Sequence, residues 1–546
     1  MEANLDVDVA VIGSGAGGLT AAVALAQSGL KVAVFEQHYL PGGWCHSFTL
    51  GGYKFSPGVH YIGELGPGGR MRAIYEGLGV SDDLELYELN PDGFDHIVCG
   101  RERFDVPKGR QRLEERLQQR FPRERQGIAD YLRDIAALGN ELGRLTDLHK
   151  LTDVLQLPWR APTVTRWGFR SAAALIDHHV KDPLLRGILA GQSGDHGLPP
   201  SLVSAPVHAA IVAHYFDGGW YPKGGGAALP RALIRALRKA GGTIHVGTAV
   251  DQILVENKRA IGVRLGDGTE VRARHVVSNA DPQVTFGRLV DAQHQSPWTR
   301  LRLRHMKYSV SALSLFAAVD MDLRAAGLDS GNLWLYQNAD VDSIYRQGLT
   351  SWPLEGSVRD LPGQFVTVTT LKDPSKSYHG HHTLESFVFV GAQAFDRWAK
   401  TRYGERPADY AALKTELTAL MVRGLERAVP GIAERVVFSE LGTPLTNAHY
   451  VAATGGNLYG SDKSRFRVGP FGFQISGDLD GLLLCGASTV AHGVLGATMS
   501  GLLVARQITR RPIAELLTQK GRALVLRQAE PASSARSHVE PKARHA

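Results

Sequence analysis

Cysteine is scarce in this chain: Cys45, Cys99 and Cys485 are the three among 546 residues, far apart and without a C-x-x-C pair. That excludes a disulfide framework and a cysteine-rich metal site, and it fits a reducing cytoplasm. Long apolar runs are missing too. No uninterrupted stretch reaches the roughly 18 apolar residues that a membrane-spanning helix needs. A strand-like run is under way by Val7, which leaves no room for a signal peptide before it. The 21 histidines show no metal-ligand spacing, and the pairs His178-His179 and His381-His382 would point apart on a helix or a strand. No metal is expected. A basic stripe with a recognition motif is also absent, so nucleic acid is not expected as a partner. Net charge is nonetheless +7 and uneven: residues 1–100 carry 4 basic and 12 acidic side chains, net −8, leaving +15 for the rest. A solvated basic face and an attraction to anionic lipid headgroups both fit that remainder. The expected location is the cytoplasm, peripherally on the inner face of the membrane under the second reading.

What is present is an ordinary globular composition, 43% hydrophobic and 21% charged, in a chain long enough for two or more domains. Its first motif is the most informative. Val7 to Ile12 is an apolar run, followed by Gly13-Ser14-Gly15-Ala16-Gly17-Gly18. In a dinucleotide fingerprint the first glycine makes a tight turn, the second lets backbone approach a pyrophosphate, and the third lets the helix pack against the sheet. The helix that follows aims about half a positive charge at the phosphates. Lys31 to Phe35 predicts a second strand, with Glu36 at its end to accept from ribose hydroxyls. A bound adenine dinucleotide is therefore expected. Only one such fingerprint exists, so any NAD(P)H binds elsewhere or transiently.

The organisation expected along the chain is a dinucleotide domain in three separated pieces, 1–105, 221–300 and 441–515. A helical substrate-facing or membrane-facing region covers 106–220, with helices over Leu113–Phe121 and Ile128–Leu148. Strands and a long helix over 301–440 predict a sheet-based substrate domain, and 516–546 a disordered tail. Phe48–Phe55 predicts a hairpin turning at Gly51-Gly52. The segment 157–170 interleaves Trp159, Trp167 and Phe169 with Arg160, Arg166 and Arg170. Such residues favour a headgroup interface, or they belong to a proline-rich connector whose tryptophans pack into the core.

Further blocks carry a resemblance. They are Glu36-Gln37-His38, Gly42-Gly43-Trp44-Cys45-His46, Gly58-Val59-His60-Tyr61, Tyr221-Pro222-Lys223-Gly224-Gly225, Val277-Ser278-Asn279-Ala280, Gly442 to Asn447 and His449-Tyr450. In this order they resemble the retinol saturases, carotenoid isomerases and bacterial phytoene desaturases, and the saturase branch most closely. The resemblance runs from residue 6 to about 510. It implies non-covalent FAD in an α/β fold of the glutathione-reductase/amine-oxidase type, a Rossmann-like three-layer domain with an α+β substrate domain and a helical insertion. It implies that Gly13, Ser14, Gly15, Ala16 and Gly18 hold the pyrophosphate and that Glu36 and Gln37 meet the adenosine ribose. Gly42 and Gly43 would pass beside the flavin, Val250 would meet adenine through its backbone, and Gly486, Gly496 and Ala497 would cap the ribityl and isoalloxazine end. Two positions depart from the wider fold: Trp44 stands where many relatives have Arg, and Ala487 where many have Asp.

The activity implied is oxidoreduction of a carbon–carbon double bond in a lipophilic polyene, preferably saturation. Desaturation, a redox-neutral cis–trans isomerisation and amine oxidation are its rivals, with a flavin-containing lipid carrier behind them. Proton handling then falls to His60 and Tyr61 first and His46 third, with His449, Tyr450 and His492 as further candidates. Each of these also fits a structural role, orienting a glycine loop through a hydrogen bond. Cys45 fits a small buried residue beside the paired glycines.

Overall fold

The computed structural model describes residues 5–145, 156–349 and 360–531. The fingerprint run becomes the strand Leu5–Ile12, with Val9, Ala10 and Val11 fully buried. It lies inside a seven-stranded sheet between Glu270–Ser278 and Val32–Phe35, parallel to both, with Thr243–His245 beyond the latter. The antiparallel strands Arg259–Leu265 and Val250–Glu256 extend the other side, and the late strand Leu482–Leu484 pairs in parallel with Glu270–Ser278. Parallel pairing brings Ile12, Phe35, Ser278 and Leu484 to one edge, where an open α/β sheet binds its ligand.

Small residues let the layers close. The helix Ala16–Gln27 is buried almost throughout. A Cβ on Gly18 would lie 2.3 Å from the Gly13 carbonyl oxygen, and one on Gly501, in the closing helix Gly493–Thr509, 2.2 Å from that of Gly17. Glycine is what lets these backbones touch.

The second sheet also has seven strands, in the order Val436–Gly442, Ser311–Val319, His382–Val390, Gly363–Val368, Asn332–Tyr336, Asp95–Cys99, Glu102–Val106. Its register aligns Trp334 with Phe365 and Phe365 with Phe387. Directly paired residues share a face, so one rung presents three aromatic rings. Residues two positions along share it too: Asn332 and Glu385 form a polar rung beside the aromatic one.

Two expectations need correction. Asp95–Cys99 and Glu102–Val106 do not end the first dinucleotide piece; they complete the second sheet, with Asp95–Cys99 parallel to Asn332–Tyr336. The tail after 515 is not structureless as far as residue 531. Val525–Gln528 pairs in parallel with Glu85–Glu88, and the Glu530 carboxylate accepts from Ser330 N and pairs with Arg324. The remaining tail, 532–546, lies outside the described residues, as do positions 146–148 of the expected helix, which runs over Arg125–Arg144. The 157–170 segment divides between its two readings. Trp167 is buried and donates to Asp134 Oδ2 at 2.9 Å, whereas Trp159 is 81% and Phe169 60% exposed.

The close contact at Gly18 is testable. Gly18→Ala is expected to lower stability by about 1–3 kcal/mol, as overpacking does, read as a lower thermal midpoint. An unchanged midpoint would mean that the helix start can move off the strand.

Candidate active site

The edge formed by the parallel strands opens on a cavity of about 310 Å³, within the range of cofactor pockets. Gly13, Ser14, Gly15 and Ala16 line it, together with Glu36, Gln37, Gly42, Gly43, Val250, Gly486 and Ala497. Two expected members do not. Gly18 packs under the Gly13 carbonyl, and a Cβ on Gly496 would strike Ala491 at 2.6 Å. Both are small to let the chain pass.

The cradle rests on two side chains. Glu36, at the end of its strand, accepts from Ser14 N (2.8 Å) and Ser14 Oγ (2.6 Å) through one oxygen and from His38 N (2.9 Å) through the other. Ser14 Oγ in turn accepts from Gly42 N at 2.9 Å, so one carboxylate ties the fingerprint turn to the paired-glycine loop. The two Ser14 donors fill one oxygen, and the other keeps a lone pair for a further donor. Asn279, quoted among the resembling blocks but given no role there, is a further member. Its Oδ1 accepts from Gly18 N (3.0 Å), and its Nδ2 would lie 2.6 Å from a Cβ on Gly15. Ala16 and Gly17 carry the N–H groups that a helix start cannot satisfy internally, and both lie in the cavity wall.

Opposite the cradle the wall is aromatic: Trp334, Phe365, Phe387 and Phe389, all from the second sheet. Between the halves lie His60, Tyr61 and Asp195. His60 Nδ1 is 3.1 Å from Glu385 Oε2, and its ring is 4.8 Å from that of Phe387. Burial holds the imidazole below its ordinary value in spite of Glu385. Burial would raise Glu385 itself, but Lys376 and His60 keep it low. Tyr61 Oη lies 2.7 Å from Asp195 Oδ2 and 3.0 Å from Asp95 Oδ2. Burial and these two acids push the phenol far up. His46 also lines the cavity, but its Nδ1 donates to Gly43 O at 2.6 Å, and burial lowers it. That orients the paired-glycine loop.

Of the remaining candidates, Tyr450 reaches the wall and donates to Tyr403 Oη. His449 stacks on Tyr403 outside the cavity lining. His492 is half-buried, with Nε2 donating to Asp195 O at 2.9 Å. The Cys45 thiol, pushed up to about 12 by burial, is no nucleophile. Asp195 has no counterpart among the sequence candidates. No motif surrounds it, and only the fold brings it beside Tyr61.

Comparison with known proteins matches this geometry to one family. The model of the flavin containing amine oxidoreductases covers residues 16–509. The chain belongs to that family. It is 33% identical over 479 residues to an all-trans-retinol 13,14-reductase of Danio rerio, covering 84% of this chain and 78% of the relative. A prolycopene isomerase of Arabidopsis thaliana is 26% identical over 515 residues, 92% of this chain and 82% of the relative. Among solved structures a putrescine oxidase superposes with a TM-score of 0.62 at 17% identity, over 93% of this chain and all of the other. That likeness confirms the fold expected from the sequence.

The protein is thus an FAD-dependent oxidoreductase of this family, and its cradle fits the cofactor. A Cβ on Gly17 would fall 2.9 Å from both Gly486 N and Ala497 O, so the fingerprint and the late glycine motif meet as bare backbone. Gly13 to Gly17 would hold the pyrophosphate, Glu36 and Gln37 the ribose, and Gly43, Gly486 and Ala497 the flavin end. FAD supplies hydride chemistry; the protein supplies position and protons.

Removing the tie at the cradle should be read in the cofactor. Glu36→Ala is expected to weaken FAD binding by about 10- to 100-fold, the worth of charge-assisted hydrogen bonds. The measurement is flavin retained per protein after gel filtration, with folding checked by circular dichroism. Full retention would exclude Glu36 as an anchor.

Proposed function

We propose that this flavoenzyme saturates one carbon–carbon double bond of a polyene or isoprenoid lipid, with retinol-like and carotenoid-like chains as the substrate class. The observation that carries it is the aromatic half of the cavity. Trp334, Phe365, Phe387 and Phe389 offer rings and no charge to whatever lies against the flavin end, which suits an extended apolar chain. The relatives named for retinol reduction and prolycopene isomerisation support the same class. With a single dinucleotide fingerprint, electrons from NAD(P)H would arrive by a transient visit.

Such a substrate also argues for collection from a bilayer. A chain of about twenty carbons loses on the order of 10 kcal/mol or more when exposed to water, at about 0.8 kcal/mol per methylene. No helix among the described residues is long and apolar enough to cross a membrane. A peripheral contact is supported instead by a surface cluster of three phenylalanines. Phe169, Phe466 and Phe471 are 60%, 63% and 50% exposed, with ring centroids 6.2–6.4 Å apart. Arg170 follows Phe169 in sequence, and the Arg465 guanidinium lies 5.9 Å from the Phe466 ring. Aromatic rings flanked by cations match an anionic headgroup layer.

Two experiments test these readings. Anaerobic, dithionite-reduced protein mixed with retinol, a carotene or phytoene is expected to reoxidise its flavin and yield a product two hydrogens heavier. A changed cis–trans composition with the flavin still reduced would instead favour isomerisation, and reduction of the oxidised protein by amines would favour an amine oxidase. Replacing Phe169, Phe466 and Phe471 together by Ser is expected to weaken sedimentation with phosphatidylserine vesicles by about tenfold or more. Equal sedimentation would remove that surface from consideration.

A further inference from the structure

We infer that Asp195 is the proton donor of the saturation step, its carboxyl hydrogen-bonded through the hydroxyl of Tyr61 to an ionised Asp95. This rests on the polyene-saturation reading and adds to it the acid that the reaction requires.

Position is the first argument. Asp195 ends a short turn, Ser193–Asp195, and lines the cavity. A Cβ on the preceding Gly194 would lie 2.1 Å from Trp334 Cζ3 and 2.9 Å from Phe389 Cε2, so the turn lies flat on the aromatic wall. Its other flank is the flavin side. Asp195 O accepts from His492, the residue that opens the helix whose Gly493 and Ala497 line the cradle. The carboxyl thus stands where the apolar half meets the cofactor half.

Counting protons is the second argument. Tyr61 has one hydroxyl proton and two carboxyl neighbours, at 2.7 and 3.0 Å. Asp95 has other support: it accepts from Asn332 Nδ2 (2.9 Å) and Gln192 Nε2 (2.7 Å), and Lys372 Nζ reaches the same Asn332 through Oδ1. For Asp195, Tyr61 is the single hydrogen-bonded side chain among the described residues. Two ionised carboxylates sharing one hydroxyl proton repel each other. One added proton on Asp195 completes a directed chain in which Asp195 donates to Tyr61 and Tyr61 donates to Asp95. Burial first, then Asp95, push the Asp195 carboxyl up to about 8. An acid of that strength is protonated at neutral pH and still able to give its proton up.

In the step itself the π bond of one C=C breaks and two C–H bonds form. Reduced FAD would supply the hydride, and with it both electrons, for one carbon. The Asp195 proton goes to its neighbour, and the carboxylate left behind takes a proton from water.

The pH response follows from the groups that titrate around Asp195. The tyrosines facing Asp195, which are Tyr61, Tyr215, Tyr336, Tyr345 and Tyr459, are all raised by burial and stay neutral. His196 and His492 are lowered by burial and also stay neutral. The groups left are Asp95, which burial raises, and two lysines that titrate in the same range: Lys372 behind Asp95, which burial lowers to about 7, and Lys463 near His492, which burial lowers to about 8. An amine gives no carboxyl band, so the infrared titration below assigns the fall to Asp195. Because the donor is protonated below its value, flavin reoxidation by polyene should be fast below about pH 8 and fall as pH rises through it. Asp95→Asn removes the repelling charge and should move that fall to lower pH.

The test combines a spectroscopic with a kinetic readout. In infrared titration of the holoprotein without substrate, a protonated-carboxyl C=O band is expected to vanish with a midpoint of about 8 and to be absent from Asp195→Asn. In anaerobic reoxidation by the polyene that the wild type uses, Asp195→Asn should be slower by about 100-fold or more, with polyene binding and flavin content unchanged. Asp195→Glu should recover part of that loss. A missing band in the wild type, or an Asp195→Asn variant as fast as the wild type, would overturn the proposal. A wild type whose flavin no polyene reoxidises would overturn the saturation reading and the proposal with it, and that result is visible before any variant is made.

Discussion

Charges buried between the two large sheets hold the active-site loop in place. Lys372, Glu385 and Asp95 are fully buried and Lys376 nearly so. Lys372 Nζ donates to the His60 carbonyl (2.7 Å), Glu385 Oε1 accepts from Ser56 N (2.7 Å), and Lys376 Nζ donates to Tyr221 Oη (3.0 Å). Lys372 and Glu385 therefore grip backbone of the segment 56–61, Lys376 the tyrosine beside it, and Asp95 the Tyr61 hydroxyl. A buried charge is costly unless it is paired and fully hydrogen-bonded, so the network admits few alternative positions for that segment. His60 and Tyr61 take their places in the cavity wall from it.

The same network explains why the reacting region can be polar on one side and apolar on the other. The second sheet presents an aromatic rung and, one step along the same face, the polar rung of Asn332 and Glu385. The pleat allows no blending between them, since a side chain faces the cavity only at every second position. The substrate space stays free of ions while titratable groups stand at its border. Their environments drive them apart: burial leaves the histidines neutral, Lys376 and His60 keep Glu385 ionised, and burial with Asp95 keeps a proton on Asp195.

The cofactor cradle depends on a different constraint, the approach of bare backbone to bare backbone. Gly13, Gly17, Gly18 and Gly486 surround Asn279, whose amide spans the gap between the fingerprint turn and the late strand. Three stretches distant in sequence thus form one surface. Sequence reading assigns roles to the glycines and none to the amide, because a polar residue just past a strand has no periodic or compositional mark.

Local sequence determined the elements whose signals are local. The helix expected over Leu113–Phe121 occupies Arg110–Arg120, the hairpin turns at Gly51 and Gly52 with both at positive φ, and the fingerprint sits on strand, turn and helix as its glycines require. Periodicity and turn chemistry act over a few residues and survive folding. Partnership between distant strands was decided elsewhere. Asp95–Cys99 and Glu102–Val106 looked like the end of the first domain because they follow it, yet the sheet that accepts them is set by the register at Asn332–Tyr336. Val525–Gln528 carries too little apolar character to stand out, and it is ordered by the open edge of Glu85–Glu88. Asp195 is the sharpest case. Its neighbours Tyr61 and Asp95 lie 134 and 100 positions away, and only tertiary packing brings the two carboxyls within hydrogen-bonding distance of the Tyr61 hydroxyl.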